Sequence, residues 1–404
     1  MKSLHLTNAW HASSGGIATH YKSLLAEAEA SGRQMVMVIP GERDDLTVGR
    51  TTRIHTVAAG KSPLNSAYRS IMPTQWPGIH HRVRQIVLEE QPDLIEVCDK
   101  YSLHYLAGAI RRGFFPGLKK RPVLIGLSCE RMDDNLRIYL SRSPLGTAFA
   151  RWYMKWIYFG FFDHHITNSE HVANELRLAS RGHVRQRGIW VRPPGVDLSQ
   201  FQPAPANQSP PKIVLYIGRL SPEKNLDLLI DSFALLPHDF TLQIAGDGIE
   251  RLRLEHQARL RFPGRYTFHG HLTDKPRLSQ LYQSAGVFVH PNPAEPFGIA
   301  PLEAMASGLP LVAPNSGGLL AYANSSNAWL TKANAPAFAE AILDSYSSNL
   351  RETKINQAIS SARQFHAPQT AKRFLDLYQQ FMTNGVADEP DYRSTSGNWL
   401  GAEL

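Results

Sequence analysis

The sequence predicts an α/β protein of two doubly wound domains, each a parallel sheet with helices on both faces, opposed across a central cleft. Three observations carry this. Short apolar runs alternate with amphipathic helical patterns through both halves of the chain, as strand–helix–strand units do. A proline-rich stretch at residues 202–211, QPAPANQSPP, interrupts the alternation near its midpoint, and the same pattern restarts beyond it. The 404 residues suffice for two separate cores.

The elements follow in order. Residues 4–7 are strand-like and lead through 8–14 into Gly15-Gly16, after which Ile17, Tyr21, Leu24, Leu25 and Ala28 stand at helical spacing. A strand, a glycine pair and a helix bring backbone amides to a phosphate or sugar; a plain tight turn is spelled the same way. Further strands are expected at 35–39, 54–58, 94–97 and 123–127, with helical patterns between them, such as Ile79, Val83, Ile86 and Val87. The run TAFARWYMKWIYFGFF at 147–162 is an aromatic helix with two readings. It packs against the sheet, or it faces lipid with Arg151 and Lys155 near headgroups. Residues 166–170 pass from strand into a helix capped by Ser169, and 189–191 is a last short strand of the first domain, 1–200.

The linker occupies 201–211. In the second domain, 212–366, strands are expected at 213–217, 242–245, 266–270, 287–289 and 311–313, with helical patterns at Leu226, Leu229, Ile230 and Phe233 and again from Ala337. A helix at 367–383 is expected to pack back on the first domain, and 384–404, rich in Gly, Asp, Glu, Ser and Asn, reads as a disordered tail.

Composition narrows the partners. The formal net charge is +8, which favours an anionic partner without choosing among nucleotide, lipid surface and nucleic acid. Nucleic-acid binding has no support beyond that charge, so it is not expected. Two cysteines, Cys98 and Cys129, make no disulfide framework or zinc spacing and suit a reducing compartment. The start of the chain lacks the apolar core of a signal peptide, and no apolar run reaches the ~18 residues of a membrane span. A cytoplasmic protein is expected, with peripheral contact at the inner membrane face if the aromatic helix meets lipid.

The chemistry concentrates in residues 287–310, VFVHPNPAEPFGIAPLEAMASGLP. Glu295 and Glu303 lie eight positions apart, one in a proline-punctuated loop and one on the helix that opens near Gly298. Free amides at such a helix start favour anionic or hydroxyl-rich ligands. Arg219 and Lys224, five apart on the loop after the first strand of the second domain, offer a planar fork and a point charge to a diphosphate.

EPFGIAPLEAMASGLP resembles the two-glutamate signature of family 4 of the retaining nucleotide-sugar glycosyltransferases. The likeness extends along nearly the whole chain, through Gly15-Gly16-Ile17, Pro194-Gly195-Val196-Asp197, Gly218-Arg219, Lys224-Asn225, Gly246-Asp247-Gly248 and Ser316-Gly317-Gly318. The resemblance implies a GT-B fold of two Rossmann-like domains and transfer of a hexose from a UDP- or GDP-linked donor to a glycan or lipid hydroxyl. It implies that Arg219 and Lys224 hold the diphosphate and Glu303 the ribose. Glu295, with the amides around Phe297, Gly298 and Ile299, would hold the sugar. Asp247 or Gly248 would lie near the base, and Gly16 would approach the donor. Front-face attack with retention, needing no cofactor, is the usual proposal for such enzymes.

Two departures stand out. Ser128-Cys129-Glu130-Arg131 places cysteine where relatives often carry histidine, and Leu319-Leu320-Ala321 follows Ser316-Gly317-Gly318 where they often carry glutamate. Cys129, Glu130, Asp133 and Asp134 are expected to meet the acceptor. The 17 histidines show no zinc-like spacing, and Asp44-Asp45 and Asp133-Asp134 lack an Asp-x-Asp pattern, so no metal is expected. A catalytically silent nucleotide-sugar-binding protein on the same scaffold is the alternative. A nicotinamide dehydrogenase is a weaker one, because Arg251 stands where the Gly246-Asp247-Gly248 run would need a third glycine.

Overall fold

The computed structural model describes residues 1–10, 16–62, 68–73, 81–139, 144–181, 188–204 and 210–383. Gly15, the middle of the expected linker and the expected tail from residue 384 lie outside the described residues.

The first domain runs β1 (Lys2–Thr7), α1 (Gly16–Ser31), β2 (Gln34–Gly41), β3 (Asp45–Val48), β4 (Thr52–Ala58), α2 (Arg82–Glu90), β5 (Leu94–Cys98), α3 (His104–Arg111), β6 (Val123–Ser128), α4 (Met132–Tyr139), α5 (Pro144–Tyr153), β7 (His164–Thr167), α6 (Glu170–Ser180) and β8 (Ile189–Val191). Its sheet has the order β3-β4-β2-β1-β5-β6-β7-β8 and is parallel except at the β3–β4 edge. The second comprises β9 (Ile213–Ile217), α7 (Leu226–Phe233), β10 (Thr241–Ala245), α8 (Arg251–Arg261), β11 (Tyr266–Gly270), α9 (Lys275–Ser284), β12 (Val287–Val289), α10 (Ile299–Ala306), β13 (Leu311–Pro314), β14 (Trp329–Thr331), α11 (Ala335–Ser347) and α12 (Arg351–Arg363). Its sheet is wholly parallel, ordered β11-β10-β9-β12-β13-β14.

Strands such as β5 and β13 are buried throughout, as sheets covered on both faces require. In both sheets the order reverses beside the first strand, between β1 and β5 and between β9 and β12. Loops leaving two such strands diverge and open a crevice at their carboxyl ends, where ligands bind in doubly wound sheets. The loops after β9 and β12 are the two that carry Arg219, Lys224 and Glu295.

A final helix, α13 (Ala367–Thr383), returns to the first domain. Phe381 stacks on His164 with ring centroids 4.0 Å apart, Phe374 meets His20 at 4.6 Å, and the Tyr378 hydroxyl donates to the buried Glu96 carboxylate. Val196 and His366 pair where the chain crosses between domains in both directions, so the two crossings run side by side.

The aromatic stretch is not one continuous α-helix. After α5 it passes into a π-helical turn, Met154–Tyr158, and a 3₁₀ turn, Phe159–Phe161. This break re-aims the side chains. Tyr153, Met154, Tyr158, Phe159, Phe161 and Phe162 enter the core, whereas Leu145, Phe149, Trp152 and Trp156 remain exposed. The core-packing reading holds for the first set; the second set forms an apolar stripe on the surface.

Candidate active site

The loop after β9 is shaped by the loop after β10. Gly218 and Leu220 donate to the carbonyls of Ala245 and Asp247, and Glu250 donates back to Leu220. The approach is so close that a Cβ on Gly246 would lie 1.8 Å from the Gly218 carbonyl oxygen, at a φ of 146° that other residues avoid. Asp247 and Gly248 are left exposed at the rim, with the Asp247 carboxylate accepting from the Gly248 amide and Arg251. Arg219 also reaches into solvent, 3.3 Å from Glu223.

Lys224 is placed differently from the expectation of an open phosphate cation. Its ammonium is 2.8 Å from Glu295 Oε2, an oxygen that also accepts from His290 Nε2 and Asn292 Nδ2, both at 3.1 Å. Burial opposes the charge on Glu295, but Lys224 and then His290 outweigh it and hold this carboxyl well below the usual range. The Asn225 side chain donates to the Pro291 carbonyl and joins the two loops. His290 and Asn292 lie within the stretch singled out in the sequence, yet their role was not legible there. One histidine and one asparagine carry no periodic signal until the loop folds back on itself.

The rest of the loop is pinned from behind. Tyr322 donates to the carbonyls of Phe297 and Gly298 at 2.9 and 2.6 Å, and the Gly318 amide donates to the Glu295 carbonyl at 2.6 Å. A Cβ on Gly318 would fall 1.8 Å from the Pro296 carbonyl oxygen, so Ser316-Gly317-Gly318 serves as the backing of the loop after β12. No side chain caps α10, leaving the amides at its start, Ile299 among them, to other partners. Glu303, on α10, accepts from the Tyr282 hydroxyl at 2.9 Å. Burial pushes its carboxyl up to about 7, only partly offset by that hydrogen bond and by Lys275. It therefore sits poised between charged and neutral near physiological pH.

Across the cleft, Gly16 opens α1 against Ile299, with room for a Cβ only 3.0 Å from Ile299 Cδ1. Cys129 is half-buried, and α4 approaches the Pro222–Lys224 turn of the second domain. The acids of this loop are less available than the sequence suggested. Asp133 is 5% exposed and grips the Arg131 guanidinium at 2.7 and 3.0 Å, while Asp134 meets Arg131, Arg137 and His171 between 3.2 and 3.4 Å. Both carboxylates are already engaged by these cations. Among the described residues, no group of three or more His, Cys, Asp or Glu side chains is placed to hold a metal ion.

The fold and this cleft define a class, the two-domain glycosyltransferases. Residues 14–200 match the model of Glycosyltransferase Family 4 and residues 199–364 that of Glycosyl transferases group 1. The chain belongs to glycosyltransferase family 4. It is 31% identical over 339 residues to a GDP-mannose-dependent alpha-(1-6)-phosphatidylinositol dimannoside mannosyltransferase of Mycobacterium tuberculosis, spanning 79% of this chain and 81% of that one. Among solved structures it superposes on sucrose-phosphate synthase from Thermosynechococcus elongatus with a TM-score of 0.76 at 21% identity, covering 94% and 99% of the two chains. HepE from Anabaena, solved with UDP and glucose, gives a TM-score of 0.68 at 21% identity, covering 94% and 100%. These two likenesses establish the GT-B fold.

Proposed function

We propose that this glycosyltransferase moves mannose from GDP-mannose, with retention of configuration and without a divalent metal, to a hydroxyl of a membrane-presented glycolipid. The observation that carries the transfer chemistry is the Lys224–Glu295 pair at the sheet's switch point, beside Arg219 and the start of α10. A donor's diphosphate is a stronger partner for an ammonium than one carboxylate, so Lys224 exchanges Glu295 for phosphate when the donor arrives. Glu295 is then released to accept from sugar hydroxyls, still oriented by His290 and Asn292. Arg219 adds a second cation, and together these charges take the place that a divalent ion fills elsewhere.

In the front-face reaction the C1–O bond to the leaving phosphate breaks while the acceptor oxygen bonds to C1 from the same side. The acceptor's proton passes to the departing phosphate oxygen. The protein positions the partners and stabilises the leaving charge. The choice of guanosine and mannose rests on the relative aligned over four-fifths of its length. The lipid acceptor rests on that relative and on the exposed stripe of Leu145, Phe149, Trp152 and Trp156. Lys155 lies over the Trp156 ring at 5.0 Å, the pairing of cation and indole that suits a headgroup layer.

The test is slow donor hydrolysis across GDP-mannose, GDP-glucose, UDP-glucose and ADP-glucose. GDP-mannose should be turned over fastest; preference for a uridine donor would overturn the assignment of the base.

A further inference from the structure

The donor and acceptor sides of the cleft are joined by one helix, α6. At its start Ser169 accepts from the Val172 amide at 3.3 Å and donates its hydroxyl across the domain boundary to the Pro296 carbonyl at 2.5 Å. Pro296 adjoins Glu295 in the donor loop, and the Gly318–Ala321 turn that backs this loop packs against α6. Six residues further on, about 9 Å along the axis, Glu175 is buried under the loop that follows β6. Its Oε1 accepts from the Met132 and Asp133 amides at 2.7 and 3.0 Å and so caps α4. Its Oε2 pairs with Lys100 at 2.7 Å, and Lys100 donates to the Glu130 carbonyl at 2.5 Å. His171, in the first turn of α6, meets Asp134 at 3.4 Å.

The acceptor-side loop thus hangs on a buried ion pair whose acid belongs to the same helix that touches the donor loop. Buried pairs are a weak source of stability compared with apolar packing, but they fix position. We propose that α6 couples the two half-sites. Seating of the donor loop on Ser169 orders residues 129–134 through Glu175, so Ser169 and Glu175 are positioning residues for transfer. This inference rests on the donor-site reading above.

The experiment is amide hydrogen exchange on the full chain, with GDP, UDP and ADP as probes. In the wild type, GDP should slow exchange at 218–225 and also at 132–137, the latter by about fivefold or more, the lower end of typical coupling between sites. Ser169→Ala and Ser169→Asp should keep the first effect and lose the second. Aspartate retains the helix cap but cannot donate to Pro296, which separates capping from coupling. Ser169→Thr, which keeps the hydroxyl, should keep both effects. Glu175→Gln should behave like Ser169→Ala; if it does not fold, the serine series decides alone. Protection at 132–137 that persists in Ser169→Ala and Ser169→Asp, or is absent from a wild type protected at 218–225, would overturn the coupling. If no nucleotide protects 218–225, the donor-site reading falls and takes the coupling with it.

Discussion

At the scale of single residues, the two cations of the loop after β9 differ in what they hold. Arg219 is exposed, so Arg219→Ala should weaken nucleoside diphosphate binding by about 1.5–3 kcal/mol, the worth of one charge-assisted contact, while the melting temperature stays put. Lys224→Ala strands Glu295 in a buried site and should also cost about 3–5 kcal/mol of stability. Calorimetric melting of both variants beside GDP titration checks this; equal, unshifted melting would show that the Lys224–Glu295 pair carries no structural weight. Glu303 has the opposite sign from Glu295. Its carboxyl is raised to about 7, so the fold favours the protonated form. No cost arises while pH is below the ordinary carboxylate value, and a cost accumulates as pH rises from there through 7. Glu303→Gln should therefore stabilise the ligand-free protein by about 1–3 kcal/mol at pH 8 and hardly at all near pH 4.5. With Glu303 assigned to the ribose, as the resemblance implies, the same variant should bind GDP more weakly at pH 8, because a hydroxyl donates best to a carboxylate. A loss of stability at pH 8 would contradict this account. Cys129→Ser should lower turnover only modestly, because the front-face reaction proposed above asks no thiolate chemistry of this loop; abolished turnover with GDP binding intact would contradict it.

At the scale of elements, most strands and helices were legible because buried strands spell short apolar runs and amphipathic helices repeat every three to four residues. The misses have physical reasons. β3 is exposed along its whole length and pairs only at the sheet edge; β14 is three residues long; α12 buries little beyond Ala358 and Ala362. The π turn after Tyr153 was invisible because aromatics on every face of a helix give no phase. Of the residues named from sequence, the fold brings Lys224 onto Glu295 and sets Gly298 at the start of the helix that carries Glu303. What sequence could not supply was pairing: Lys224 with Glu295, and Asp133 with Arg131, are contacts between groups whose types alone suggested other partners. The exposed face of α5 and of the π turn after it yields an element-level prediction. The protein should float with anionic vesicles at low salt and release as salt rises, and replacing Trp152 and Trp156 together by alanine should abolish flotation. Vesicle binding unchanged by that pair would move the lipid contact elsewhere. At Gly318, alanine should force the loop after β12 off its backing and weaken both GDP binding and stability by about 1–3 kcal/mol, measured in the same assays.

At the scale of the whole molecule, two switch-point crevices face each other, the chain crosses between domains twice at one place, and α13 ties the second domain's end to the first domain's core. This geometry puts the cationic loop, the two glutamates and the loop after β6 around one cleft. On the proposed reading Arg219 and Lys224 supply the charge that a departing diphosphate needs, so turnover should continue in excess EDTA. Abolition by EDTA with recovery on adding magnesium or manganese would show that the phosphate site was misread. The central claim is that the cleft performs transfer from a nucleotide sugar rather than mere binding. The most direct measurement is proton NMR of the product formed from GDP-mannose and a mannosylated phosphatidylinositol in mixed vesicles. The account predicts stoichiometric GDP release with a new α-mannoside, the donor's own configuration, and loss of both in Glu295→Gln. GDP-mannose bound but never consumed, or a β-mannoside product, would contradict it.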